Sequence, residues 1–127
     1  MPKYLLIGLG GFCGAIMRYV VSGLAQQWSN SISFPYGTLA VNVLGCLIIG
    51  FLAQLAESRG LLTAPMRFFI FIGFLGALTT FSTFGNETLN LFQDGQFSQA
   101  ILNIGLSVVL CLGAVWLGHV TANLVWR

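Results

Sequence analysis

The chain has 127 residues, 57% of them hydrophobic and only 6% charged, with five lysines and arginines against three acidic residues. Soluble domains carry about 25% charged residues, so a soluble globular protein is excluded, and the few basic side chains give no patch for a nucleic-acid partner. Cys13, Cys46 and Cys111 fall one each in three apolar segments and read as small packing residues, while His119 stands alone. Without a nucleophile-base pair, phosphate loop or ligand cluster, enzyme chemistry has nothing to build on.

Crossing the hydrocarbon core takes about 20 apolar residues. The first candidate span, about 4–26, holds a single charge, Arg18. Lys3, the apolar run after it and the small-residue "GLA" at Gly23 to Ala25 imitate a signal peptide. Arg18, between the run and the supposed cleavage site, argues against that. Gly10 and Gly14, and likewise Gly8 and Gly11, are spaced for close helix approach in lipid. An arginine inside a span either faces protein or water, or snorkels to the headgroups. Glu87 on the third span is its natural partner, because the two spans run in the same direction.

The second span, about 37–56, has no charge. Its Asn42, in "GTLAVNVLG", brings two N–H donors into an apolar segment and must find partners. Glue between helices and a role on a polar path both fit.

The third span, about 68–92, contains "GFLGALTTFSTF" from Gly73 to Phe84. Clustered hydroxyls and β-branched residues compete with the helical ladder, so the helix is expected to break here, mid-membrane. Irregular backbone at such depth survives only when buried in protein or lining water. Freed carbonyls hold a cation, and hydroxyls donate to an anion. Phe81 and Phe84 either pack as core or present their electropositive edges to an anion.

The fourth span, about 97–125, carries Asn103, Ser107 and Cys111 as one stripe at four-residue spacing. The stripe is an interface or a wetted path. Between spans, "QWSNSISFPY", "ESRGLLTAPMR" and "QDGQ" are short and carry turn residues. The expectation is therefore one all-α domain over 1–127: four transmembrane helices, the third broken. So small a bundle encloses no pore alone, and a polar path calls for assembly, most simply as a C₂ dimer.

Three stretches, "GGFCGAIMRY" (Gly10 to Tyr19), "GTLAVNVLG" (Gly37 to Gly45) and "GFLGALTTFSTF", resemble the Fluc/CrcB family of fluoride channels. They fall in order on the first three spans, and "TTFSTF" with its preceding glycines is the most specific of them. The resemblance implies a dual-topology, antiparallel homodimer in the plasma (inner) membrane, with two pores exporting fluoride passively. It also implies a structural sodium held by the backbone carbonyls of Gly76 and Thr79. Family pore residues map onto Asn42, Phe81 and Phe84, with Thr38, Ser82, Thr83, Asn103 and Ser107 as neighbours. The fourth span matches least well, since Asn103 and Cys111 replace other polar side chains.

Lys3, Arg59, Arg67 and Arg127 would all lie at one membrane face. The positive-inside rule then favours one orientation, whereas an antiparallel homodimer needs both. Either the bias is overridden or the chain pairs with an oppositely oriented relative; the homodimer is the expectation. A small proton-coupled multidrug-type transporter would carry an acidic residue on its first span, where this chain has Arg18. A non-conducting accessory subunit is the third reading.

Overall fold

Four helical stretches long and apolar enough to span a membrane, Lys3–Ser29, Tyr36–Arg59, Ala64–Gln93 and Phe97–Val125, make up the computed structural model, which describes residues 2–127. We name Lys3–Ser29 α1 and Tyr36–Arg59 α2. The third span is α3, the run Ala64–Arg67, Phe68–Leu75 and Gly76–Leu78, followed by α4, Phe81–Gln93. The fourth is α5, Phe97–Val125. No strand occurs among the described residues.

The helices run past the expected ends at 26 and 56 because nothing in the sequence stops them there. α1 continues to Asn30, whose φ of 52° ends it in a left-handed cap, with the Asn30 N–H bonded back to the Gln27 carbonyl. α2 ends in the same way at Gly60, φ 60°. α3 begins early because Pro65 lies in its first turn, where a missing N–H costs nothing. The α1–α2 connection is tied by one side chain. Gln26 Nε2 donates to the carbonyls of Ser31 (2.8 Å) and Phe34 (3.0 Å), and its Oε1 accepts the Gly37 N–H (3.0 Å).

Phe68–Leu75 is wound as a π-helix rather than an α-helix, a rare, wider turn common near functional sites. Its Gly73 lies against α1: a Cβ there would sit 2.6 Å from the Ile7 carbonyl oxygen and 3.0 Å from Gly10 Cα. On α1, a Cβ at Gly10 would fall on the Phe69 carbonyl, and one at Gly14 on that of Phe74. The Gly10/Gly14 pair is therefore the packing face. The Gly8/Gly11 pair is not, since a Cβ at Gly8 meets nothing within 4 Å.

α2 and α5 lie side by side and parallel, with a constant register. Gly50 backs onto the Val115 backbone, 2.9 Å from its Cα to a Cβ built at Gly50. Further along, Gln54 Oε1 meets His119 Nδ1 at 3.0 Å, a pair separated by 65 residues, the same spacing as Gly50 and Val115. Leu39, Val41, Leu78, Leu91 and Ala100 fill the interior, and large apolar side chains such as Tyr4, Phe12, Val109 and Leu112 cover the outside. In a bilayer such an exterior is solvated by lipid, and small residues at helix contacts supply the packing.

Candidate functional site

The third span is interrupted where the hydroxyls cluster. Thr79 has ψ 155°, and Thr80 has φ −150° and ψ 126°, so two extended residues separate α3 from α4. An uninterrupted helix would give the Gly76 carbonyl the Thr80 N–H, and the Thr79 carbonyl the Thr83 N–H. Both donors are turned elsewhere. The Thr80 N–H goes to Asn42 Oδ1 at 2.8 Å, and the Thr83 N–H goes to Thr80 Oγ1 at 3.2 Å, which caps α4. The carbonyls of Gly76 and Thr79 thereby lose their helical partners, a donor set of backbone oxygens that suits a hard cation such as sodium.

Asn42 holds this break open. Its Nδ2 donates to the Thr80 carbonyl at 3.0 Å while its Oδ1 accepts from the Thr80 N–H, so the side chain stands in for a length of ladder. That spends one N–H, and the other is left for a further acceptor. Gly45, one turn along α2, makes room for Thr79: a Cβ there would overlap the Thr79 methyl. Thr79 itself bonds back into its own helix, Oγ1 to the Leu75 carbonyl at 3.0 Å. Thr80 Oγ1 donates to Thr83 Oγ1 (3.1 Å) and lies 3.3 Å from Ser82 Oγ. Having accepted, Thr83 keeps its own hydroxyl hydrogen to donate.

Beside the break lies a cavity of about 390 Å³ walled by residues that include Asn42, Gly76, Thr79, Phe81, Phe84 and Ser107. The rings of Phe81 and Phe84 are 5.4 Å apart and inclined at 47°. Phe81 is 82% exposed, so in the single chain it is not a core residue; Phe84 is half-buried.

A second, larger hollow of about 900 Å³ opens at the far end of α4, lined by Tyr19, Gln26, Ser33, Thr38, Glu87 and Asn90 among others. Thr38 belongs to this hollow, where its Oγ1 donates to Glu87 Oε1 at 2.5 Å. Glu87 takes a hydrogen bond from Thr38, which faces it from α2, and no hydrogen bond joins it to Arg18. Asn103 is buried and donates from Nδ2 to Thr88 Oγ1 at 3.0 Å, and Thr88 donates on to the Phe84 carbonyl at 2.7 Å. The expected fourth-span stripe thus splits. Ser107 and Cys111 reach the break cavity, and Asn103 braces α5 against α4.

Thr80, Gly45 and Thr88 are the residues that sequence reasoning passed over as site-builders. For Thr80 a local signal existed, since a threonine three residues before Thr83 at a helix start is a capping pattern. Gly45 and Thr88 gave none, because their roles come from other helices.

Residues 5–119 match the family described as CrcB-like protein, Camphor Resistance (CrcB). A fluoride-specific ion channel of Opitutus terrae is 50% identical over 124 residues, covering 96% of this chain and 93% of that protein. Relatives of the same description from Methanococcus maripaludis (47% over 126 residues, 99% and 100% covered) and Elusimicrobium minutum (45% over 127 residues, 98% and 97% covered) agree end to end. With four spans, a third-span break in the "TTFSTF" stretch and this likeness over nearly its whole length, the chain belongs to the CrcB family and is a multi-pass membrane protein.

Proposed function

We propose that this chain is a fluoride channel in the plasma membrane, passing the anion along the break cavity without an energy source. It is a channel and not an enzyme, as its family and relatives indicate. The observation that carries the reading is the diversion of the Thr80 and Thr83 N–H groups. It opens the Gly76 and Thr79 carbonyls next to Asn42, Phe81 and Phe84 in a single cavity.

Fluoride is small and tightly hydrated, so its path must replace water's donors. The remaining Asn42 N–H, the hydroxyls of Ser82, Thr83 and Ser107, and the electropositive edges of two phenylalanine rings supply donors without a fixed positive charge to trap the ion. The carbonyls point the other way in charge. Those of Gly76 and Thr79 would hold a structural sodium, which would tie the two sides of the break together. The exposed Phe81 ring beside polar backbone supports assembly with a second copy, in the antiparallel arrangement, so that the ring borders a shared path. The Thr38–Glu87 hollow serves as the wet approach to it.

Reconstituted into liposomes, the protein should release fluoride much faster than chloride, with no proton gradient imposed. Faster chloride release, or fluoride release that requires a proton gradient, overturns the reading.

A further inference from the structure

The sequence scatters its three cysteines, and the fold brings two of them together. The register that pairs Gln54 with His119 and Gly50 with Val115 along α2 and α5 pairs Cys46 with Cys111 one turn earlier. Both are half-buried and unoxidised. Both line the break cavity. Ile49, Phe71, Leu75 and Val108 share that wall, and no carboxylate or histidine does.

The two thiols are the only sulfur donors on this wall, whose other polar side chains, Asn42, Thr79, Thr80 and Ser107, are neutral amide and hydroxyl groups that ligate zinc poorly, and this decides what it can hold. Zinc requires four ligands, and calcium and magnesium require oxygens. A soft d¹⁰ cation is satisfied by two thiolates in line. Charge narrows the choice further, since an uncompensated charge against apolar walls is costly, and two thiolates are neutralised by a divalent ion. We propose that Cys46 and Cys111 form a two-coordinate site for a thiophilic divalent cation of the mercuric class, set in the wall of the break cavity. Binding breaks two S–H bonds, sends both protons to water and forms two sulfur–metal bonds, with no change of oxidation state. The bound metal sits in the same cavity as Asn42 and Ser107. The binding stands without the fluoride reading, and only its effect on flux rests on that reading.

The test uses purified full-length Cys13→Ser protein, which lacks the exposed third thiol. It is given one equivalent of Hg²⁺ and desalted against a monothiol competitor. One mercury should remain per chain, with both thiols protected from a maleimide in the mass spectrum. Adding Cys46→Ser or Cys111→Ser should lower retention by about a hundredfold, because the second ligand's effective concentration is lost; alanine at either position should do the same. Zn²⁺ should wash off. Protection of a single thiol, retention indifferent to both substitutions, or equal retention of Zn²⁺ overturns the site. Should a variant fail to assemble, the number of thiols protected in the Cys13→Ser protein decides alone. In liposomes, mercury should slow fluoride efflux and a dithiol should restore it. Metal bound with efflux unchanged overturns the site's place on the path and leaves the binding standing. Metal-free protein that passes no fluoride counts against the function proposed above, not against this site.

Discussion

Asn42 and Thr80 hold each other by two hydrogen bonds, amide to carbonyl at 3.0 Å and N–H to amide oxygen at 2.8 Å. One side chain on α2 thereby replaces the backbone partners that α3 and α4 lose where they part. The relationship makes Asn42 a structural clamp in addition to its proposed place on the path, and its substitutions should show both roles.

Asn42→Asp keeps an oxygen for the Thr80 N–H but removes the donor from the Thr80 carbonyl, facing acceptor with acceptor. An ionised carboxylate in the cavity also repels an anion. Fluoride efflux per assembled protein should fall to background, and thermal or denaturant stability should drop by about 1–3 kcal/mol. Wild-type efflux from the assembled variant would remove Asn42 from the path.

Phe81→Ile and Phe84→Ile keep apolar bulk and delete the ring edges. Because Phe81 is 82% exposed in the single chain, core packing alone predicts a negligible effect there. On the proposed path both variants should lose most of their fluoride flux, with stability changed by less than about 1.5 kcal/mol. Flux and melting temperature measured on the same preparations separate the two accounts.

Gly10→Ala and Gly8→Ala form a matched pair on one helix. A methyl at Gly10 collides with the Phe69 backbone, whereas one at Gly8 meets nothing within 4 Å. Gly10→Ala should destabilise by about 1–3 kcal/mol, and Gly8→Ala should be neutral or mildly stabilising, since alanine is the better helix former. Equal effects would show that α1 and α3 do not meet as described.

Thr80→Val removes the hydroxyl that captures the Thr83 N–H and returns that donor towards the Thr79 carbonyl. The lost cap should cost about 1 kcal/mol, and stabilisation by added sodium should shrink with it. Thr79→Ser, whose carbonyl is untouched, should retain the full sodium effect. Melting curves in sodium and in a large organic cation measure both, and sodium dependence that survives in Thr80→Val would overturn the carbonyl assignment.

The spans were legible because uncharged runs are long and local, and the interruption at Thr79 and Thr80 because its hydroxyls are adjacent in sequence. What the sequence hid depends on how helices are rotated against one another. Nothing local distinguishes Gly10 and Gly14 from Gly8 and Gly11, or marks Thr38 as a hydrogen-bond partner of Glu87. The π-winding of Phe68–Leu75 likewise lies in a run of phenylalanine, isoleucine and leucine that reads as ordinary helix. Cys46 and Cys111 share a cavity wall for the same reason, since only the α2–α5 register brings them to it.

The order of synthesis gives the α2 contacts a further meaning. Thr38 finds its partner 49 residues later, Asn42 finds its own 38 residues later, and Gln54 meets His119 after 65. α2 therefore emerges from the ribosome with its polar groups uncommitted, and in hydrocarbon each of these is costly until paired. The Gln26 tie can close the first hairpin as soon as Gly37 is made. The rest of α2 must wait for the third and fourth spans, so the nascent half-protein is the state most exposed to quality control. Slowing translation after α2 should lower yield more than slowing it after α5.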